Sequence, residues 1–502
     1  MVSNELLFCQ QLLPCGKVVP NRLVKVAMYE HLASIRGGPP NRYHYALYST
    51  WSEHDWGMIV TGNVIVSQDH LTLGRDMVVP RGLDDQTIRP FQKLAESIHG
   101  NKANRPLAIM QLSHGGRQSS NFLGGRLPFV PPLAPSALRS GQTLENEGII
   151  SNIFHLLLFQ KPKAMSLADL DHLVSEFVRG AVLASQSGFD GIQLHAAHGS
   201  QFLSPKSNIR TDEYSHDSLL LLNRIVNAIR KAVPASFILG IKFNTGDYSG
   251  VEESKAQTTQ DERAISHLRE IVAWRTIDFI EITGGDYENP SIIFLKPTPS
   301  FFARFSARFM KELSSMSSPN DRLPLVLLTG GLRTPAHLYN VIASNHAHLL
   351  GIGRSSVLCP ELPTTLKNNQ TTEVDLFNDF TPFKPEPDLS LSFTKRWPWT
   401  YIWRFVPRIK LIGAGVGIAW YALIIRQLAE GRIRRNDERD IKKSDEQNAF
   451  DPDYSVTGIG AVVKMWVWVN APEIQKSYIV LLLLSLLLMV LCLAWSVDVF
   501  KL

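Results

Sequence analysis

Eight short apolar, β-branched runs do most to limit how this chain folds. They read "RLVKVAM" (22–28), "GMIVTGNVIV" (57–66), "PLAIMQL" (106–112), "GIQLH" (191–195), "FILGIKF" (237–243), "FIEIT" (279–283), "PLVLLTG" (324–330) and "HLLGIG" (348–353). Amphipathic stretches of helical period lie between them, such as "LADLDHLVSEFVRGAVLASQSG" (167–188) and "SLLLLNRIVNAIRKAV" (218–233). A strand that is apolar at consecutive positions is buried on both faces, as parallel strands under a cover of helices are. An open doubly wound sheet shows the same alternation. Eight strands between residues 20 and 360, most followed by a helix-length segment, favour closure into a (β/α)8 barrel.

Beyond this unit, taken as residues 1–375, the composition shifts. Residues 376–408 contain the proline-rich, acidic "FTPFKPEPDLSLS" (380–392) and read as a linker. Residues 409–430 hold "LIGAGVGIAWYALII" (Leu411–Ile425), uncharged between Lys410 and Arg426. That length is marginal for a span, so a docked or interfacial helix and a second span are both open. Upstream, "RWPWTYIW" (Arg396–Trp403) suits an interface where indoles sit half-wet. Residues 431–476 read as a polar linker, and the mixed-charge run "RQLAEGRIRRNDERDIKKSDEQ" (426–447) as a solvated helix or linker. Within 477–499, "YIVLLLLSLLLMVLCLAWSV" (Tyr478–Val497) carries no charge. Twenty helical residues rise ~30 Å, enough to cross a bilayer core. The expectation is a single-pass C-terminal anchor in lipid, with the barrel facing the cytosol.

Composition excludes several functions. The formal net charge of +5 over 502 residues is small and not gathered in one block, so no nucleic-acid partner is expected. Cys9, Cys15, Cys359 and Cys492 lie far apart with no CxxC pair, against a disulfide framework or a zinc site. The N-terminus lacks the basic head and unbroken apolar core of a signal peptide.

Function in such a barrel gathers at the C-terminal ends of the strands. Those ends carry Val26, Ala27, Met28 and Tyr29; Asn63; Gln111; His195 and His198; Lys242; Gly330 and Gly331; and Gly353 and Arg354. Glycines at the seventh and eighth strand ends are where barrels commonly bind phosphate through bare N–H groups, and Arg354 adds a charged donor. An H-x-x-H pair can also ligate zinc, but no acidic or cysteine ligand cluster accompanies it here.

The stretches "PNRLVKVAM", "GMIVTGNV", "QLSHGGRQ", "DGIQLHAAHG", "FLSPKSNIRTDEY", "GIKFN", "IEITGGDYE", "LTGGLRT" and "GIGR" resemble, in order and spacing, the old yellow enzyme family of FMN-dependent NADH:flavin oxidoreductases and ene-reductases. The resemblance covers residues 12–370 and is strongest to fungal-type members. It implies a barrel holding FMN, with NADH or NADPH as hydride donor and a small molecule bearing an activated C=C as substrate, in specialised metabolism. It further implies that Val26–Tyr29 and Asn63 line the flavin, Gln111 and Lys242 hold its pyrimidine edge, and Gly330, Gly331, Gly353 and Arg354 hold its phosphate. His195 and His198 would bind the carbonyl oxygen of an enone, with Ala196, Ala197 and His31 lining the substrate site.

The sequence departs from the family pattern twice. Family members read H-x-x-H-G-Y, and that Tyr donates a proton to the α-carbon; here Gly199 runs straight into Ser200-Gln201-Phe202, about three residues short. The usual Y-G-G-S-x-x-N-R is replaced by Tyr214-Ser215-His216-Asp217-Ser218. Tyr29, His31 and water are the remaining proton sources. Redox-neutral isomerase or dehydrogenase activity, or a weakly active flavin-binding barrel, are the competing functions.

Overall fold

The computed structural model describes residues 5–138, 159–196, 208–245, 256–284, 300–316, 322–368, 383–385, 410–439, 450–456, 458–468 and 471. Eight parallel strands form the centre: β1 (Leu23–Lys25), β2 (Met58–Ile65), β3 (Leu107–Ser113), β4 (Gly191–His195), β5 (Ile238–Asn244), β6 (Phe279–Thr283), β7 (Leu325–Thr329) and β8 (Leu349–Ile352). Each pairs with the next, and β1 closes the circle by pairing with β8 through Leu350↔Leu23 and with β2 through Val24↔Met58. All eight apolar runs are barrel strands. Every residue of β3 and β5 is buried, which is why their sequences lack polar alternation.

Side chains two apart share a strand face, so the inner wall can be followed from end to end. At its lower end Val24, Met58, Leu107, Ile238, Phe279 and Leu325 belong to one apolar cluster. A hairpin of Gln11–Leu12 and Val18–Val19 adds Leu13 and Val19 to the same cluster. Its turn is tied down by charge: Lys17 Nζ meets Asp190 at 2.6 Å, and the Cys15 N–H donates to Asp278 at 2.8 Å. Burial raises the Asp190 pKa, but hydrogen bonds from His99, Lys17 and the Ala108 N–H outweigh it and hold the carboxyl at about 2. Toward the upper end the inner wall turns polar.

The helices α1 (Arg42–Ser52), α2 (Asp85–His99), α3 (Leu167–Gln186), α4 (Leu220–Ala232), α5 (Ala256–Ala273), α6 (Ser300–Ser315) and α7 (Pro335–Ala343) follow strands in the barrel order. Caps set their starts: Asn41, Asp84 and Ser166 form capping boxes, and Thr334 accepts from the His337 N–H ahead of Pro335 at the first turn. Two short helices, α8 (Arg354–Leu358) and α9 (Leu362–Asn368), end the barrel. Trp51 and Trp56 donate indole N–H bonds to the carbonyls of Ser356 and Pro360, fastening α1 to that end.

Two further helices lie against the barrel. α10 (Lys410–Arg439) packs on α1 and α8, burying Ala419, Trp420, Tyr421, Ile424, Ile425 and Leu428. α11 (Gly458–Trp466) packs on α10, and Arg426 donates to the Lys464 and Met465 carbonyls near its end. The segment Leu411–Ile425 thus sits in a helix docked on the barrel. No helix among the described residues is long and apolar enough to cross a membrane. Within 431–476, α10 continues through Arg439, as a solvated helix would, and Gly458–Trp466 is helical because Ala461 and Met465 find a buried apolar surface. The anchor segment 478–497 lies outside the described residues.

Candidate active site

The upper end of the inner wall carries a chain of buried polar side chains from four strands. Gln111 (β3) donates through Nε2 to Gln193 Oε1 (β4) at 2.6 Å. Gln193 Nε2 donates to Glu281 Oε2 (β6) at 2.8 Å, and Lys242 Nζ (β5) lies 3.2 Å from Glu281 Oε1. Gln193 and Glu281 are wholly buried, Gln111 and Lys242 nearly so. The strand parity that sends Leu107 and Ile109 inward sends Gln111 inward above them, and Phe279 does the same for Glu281.

The ends of β1, β2, β7 and β8 form the other half of the rim. The pairing of β2 with β3 is irregular between Val60 and Asn63, and this sets Asn63 opposite Gln111. The Gly62 N–H donates to Glu30 Oε1 at 2.8 Å, and the Tyr48 hydroxyl donates to the same oxygen at 2.5 Å. Val26 is buried; Ala27 and Met28 are half-buried. On β8, a Cβ at Gly351 would stand 2.0 Å from Thr329 Oγ1 and 2.8 Å from Val26 Cγ1, so only glycine fits. Gly330 and Gly331 take positive φ of 122° and 72°, turning the loop after β7 into a shape that side chains resist. Gly353 precedes α8, whose first residue is Arg354.

This rim fits a flavin mononucleotide. Asn63 Oδ1 and Thr329 Oγ1 are buried with no partner among the described residues, a cost that a ligand's polar edge would relieve. Lys242 supplies a cation, Gln111 an amide, and Gly330, Gly331 and Gly353 supply half-buried backbone free of side chains, with Arg354 following Gly353.

His195 ends β4, nearly buried, its Nδ1 3.4 Å from Ser113 Oγ on β3. Ala196 follows, half-buried, its N–H donating to the Leu194 carbonyl at 3.0 Å. His198 and Ala197 lie outside the described residues, so the histidine pair is seen only through its first member. Burial, then the charge of Asp76, pushes the Tyr29 hydroxyl well above its ordinary pKa, which keeps it protonated. His31 is 1% exposed in a left-handed conformation (φ 56°), its ring between Tyr29 and Trp466. Burial first, then Arg75 and Arg426, hold it well below its ordinary pKa. His31 was expected to line the substrate site; here it is enclosed by the C-terminal extension.

Gln193, Glu281 and Glu30 were absent from the sequence reading. The signal was present: single polar residues inside "GIQLH" and "FIEIT", strands otherwise buried on both faces. A further histidine pair, His70 and His114, stacks at 4.3 Å beside a cavity of ≈ 410 Å³ lined also by Glu176 and Arg179. Burial, followed by the charges around them, lowers both pKa values. Their ring nitrogens accept backbone N–H bonds from Leu133 and Gly116, a loop-holding role.

Residues 16–373 match the model of the NADH:flavin oxidoreductase / NADH oxidase family. Similar proteins include NADH-dependent flavin oxidoreductases of Neonectria sp. (strain DH2), 35% identical over 72% of this chain and 47% of that protein, and of Hypocrea jecorina (strain QM6a), 31% identical over 71% and 88%. The chain therefore spans about half the length of the first and most of the second. Among solved structures, morphinone reductase superposes with a TM-score of 0.55 at 18% identity, covering 76% of this chain and 91% of that one. A 2-naphthoyl-CoA reductase complex gives 0.60 at 17% identity, covering 73% and 53%. At those identities the likeness is one of fold. The chain belongs to the NADH:flavin oxidoreductase / NADH oxidase family, and is an oxidoreductase of old yellow enzyme type that uses a flavin and a nicotinamide cofactor.

Proposed function

We propose that this protein takes hydride from NADH and reduces a carbonyl-activated alkene, as a fungal-type member of its family. The observation that carries this reading is the buried chain Gln111–Gln193–Glu281–Lys242 at the upper end of the barrel, beside His195. Bound FMN would accept hydride from the nicotinamide and pass it to the alkene.

The chain's own residues do the rest. Lys242 brings a fixed positive charge to the cofactor's pyrimidine edge, where negative charge grows on reduction. Gln111 orients that edge; Gly330, Gly331, Gly353 and Arg354 hold the phosphate; Val26–Tyr29 and Asn63 line the cofactor. His195 and His198 donate to the substrate's carbonyl oxygen and stabilise charge that develops there. Tyr29, held protonated, is a candidate proton source in place of the family tyrosine that Gly199-Ser200 omits. That omission supports a second reading, a flavin-binding barrel with weak or redox-neutral activity. NADH is preferred to NADPH because the relatives bear NADH-dependent names.

The anchor proposal rests on the twenty uncharged residues 478–497 alone, and with it a barrel held at the cytosolic face of a bilayer. The catalytic reading is tested by the absorption spectrum of the purified protein under anaerobic conditions. A yellow protein bleached by NADH and recoloured by cyclohexenone supports it; a colourless protein, or a flavin that NADH leaves oxidised, overturns it.

A further inference from the structure

We infer that Glu281 is a positioning residue that sets, from one buried carboxylate, both the electrostatic field at Lys242 and the orientation of the Gln111 amide. The inference rests on the cofactor reading above and extends it to two residues, Glu281 and Gln193, behind those that would face the flavin.

A carboxylate is an acceptor at both oxygens. Glu281 Oε2 therefore draws the NH2 end of Gln193, at 2.8 Å, and turns the Gln193 carbonyl toward Gln111. That carbonyl in turn draws the NH2 end of Gln111, at 2.6 Å. Each amide has two orientations on its own; the carboxylate selects one for both. Gln111 is left with its carbonyl oxygen to accept a donor on the cofactor edge. The other oxygen of Glu281 sits 3.2 Å from Lys242 Nζ, an ion pair that holds the two charges on the same rim without a hydrogen bond between them.

The arrangement is poor as a stabilising device. Glu281 is wholly buried and its partner Lys242 nearly so, and buried ion pairs are often no more stable than apolar replacements. Gln193 is wholly buried as well, between Gln111 and Glu281. A polar relay at this depth has a purpose only if something reads its far ends. The two ends are the amide of Gln111 and the ammonium of Lys242.

The charge has a predictable consequence. Glu281 offsets part of the positive field of Lys242. Glu281→Gln keeps the shape and one acceptor oxygen for Gln193 but removes the offset, so a reduced, more negative flavin gains relative to the oxidised one. A tenfold gain raises the midpoint potential of a two-electron couple by ~30 mV. Gln193→Leu is the complementary variant: it cuts the relay but leaves the Lys242–Glu281 pair.

The experiment measures midpoint potential and FMN affinity in the wild type, Glu281→Gln and Gln193→Leu. The expected result is a potential raised by about 30 mV or more in Glu281→Gln. In Gln193→Leu the expected result is FMN affinity weakened about tenfold, as loss of one oriented hydrogen bond predicts, with the smaller change in potential. An unchanged or lowered potential in a yellow Glu281→Gln protein overturns the proposal, as does undiminished FMN affinity in Gln193→Leu. A wild-type protein without flavin absorbance would overturn the cofactor reading first and the relay with it.

Discussion

The indole of Trp466 stands edge-on to the imidazole of His31, ring centres 5.0 Å apart and planes at 87°, joining the C-terminal extension to the loop that follows the first barrel strand. Around this contact Trp468 packs on Tyr43 at 4.8 Å and receives the Arg426 guanidinium at 4.3 Å. Its indole N–H donates to Glu430. The extension is thus part of the wall around the first loop.

Trp466→Ala should open His31 to solvent. Burial is the main cause of its depressed pKa, so the value should climb toward the ordinary ~6.5 as water enters. Histidine-selective NMR would show one more ring titrating above pH 5 than in the wild type. An unchanged set of titrating rings would mean that Trp466 does not seal this loop.

Acid should destabilise the fold from about pH 6.5 downward. Burial holds His44 at about 3, and His54, His114, His267 and His348 at about 4; His31 and His70 are also well below the usual value. Below ~6.5 the unfolded chain takes up protons that the folded one refuses, and each such group removes up to ~1.4 kcal/mol per pH unit until its folded pKa is reached. Asp76, pushed by burial to about 6, acts the other way, because its folded form gains a proton first as the pH falls. Burial also raises Glu30, Glu176, Asp261 and Glu270, but the histidines outnumber these carboxyls. Thermal melts should show Tm falling between pH 7 and pH 5; a flat profile would contradict the neutral, buried state of these rings.

Arg354→Ala should weaken FMN binding by one to two powers of ten. A hydrogen bond from a charged donor is worth ~1.5–3 kcal/mol, and each ~1.4 kcal/mol is tenfold in affinity. Fluorescence titration of the apoprotein measures this directly. Undiminished affinity would place the phosphate away from the end of β8.

Much of the barrel was legible in the sequence because each strand is buried on both faces, which leaves an unbroken apolar run. The same property hid half of the rim. In "GIQLH" no alternation marks which residues point inward, so Gln193 could be assigned to the inner wall only once Leu194 was seen to face the helices. Glu281 was obscured in the same way within "FIEIT". The C-terminal helices were harder, because what folds Gly458–Trp466 is contact with α10, itself seated on α1, hundreds of residues earlier. Local composition around a mixed-charge run carries no trace of such a surface. His31, by contrast, was assigned from the resemblance alone, and the residue that encloses it, Trp466, lies in a segment that the resemblance does not cover.

Removing residues 476–502 should convert a membrane-associated protein into one that stays in solution and keeps its flavin. The described barrel and its docked helices end before this segment. Flotation on liposomes separates the two forms. A full-length protein that fails to float, or a truncated one that loses FMN, would refute the anchor.

The central claim is tested most directly by stopped-flow absorbance of the flavin in wild type and in the His195→Ala/His198→Ala double variant. Loss of a donor to a developing oxyanion commonly costs ~10²-fold or more in rate. Reoxidation of the NADH-reduced protein by cyclohexenone should therefore slow at least a hundredfold in the double variant, and reduction by NADH far less. If both half-reactions slow equally, or enone reduction proceeds at the wild-type rate, the histidines do not hold the substrate carbonyl and the proposed mechanism is wrong.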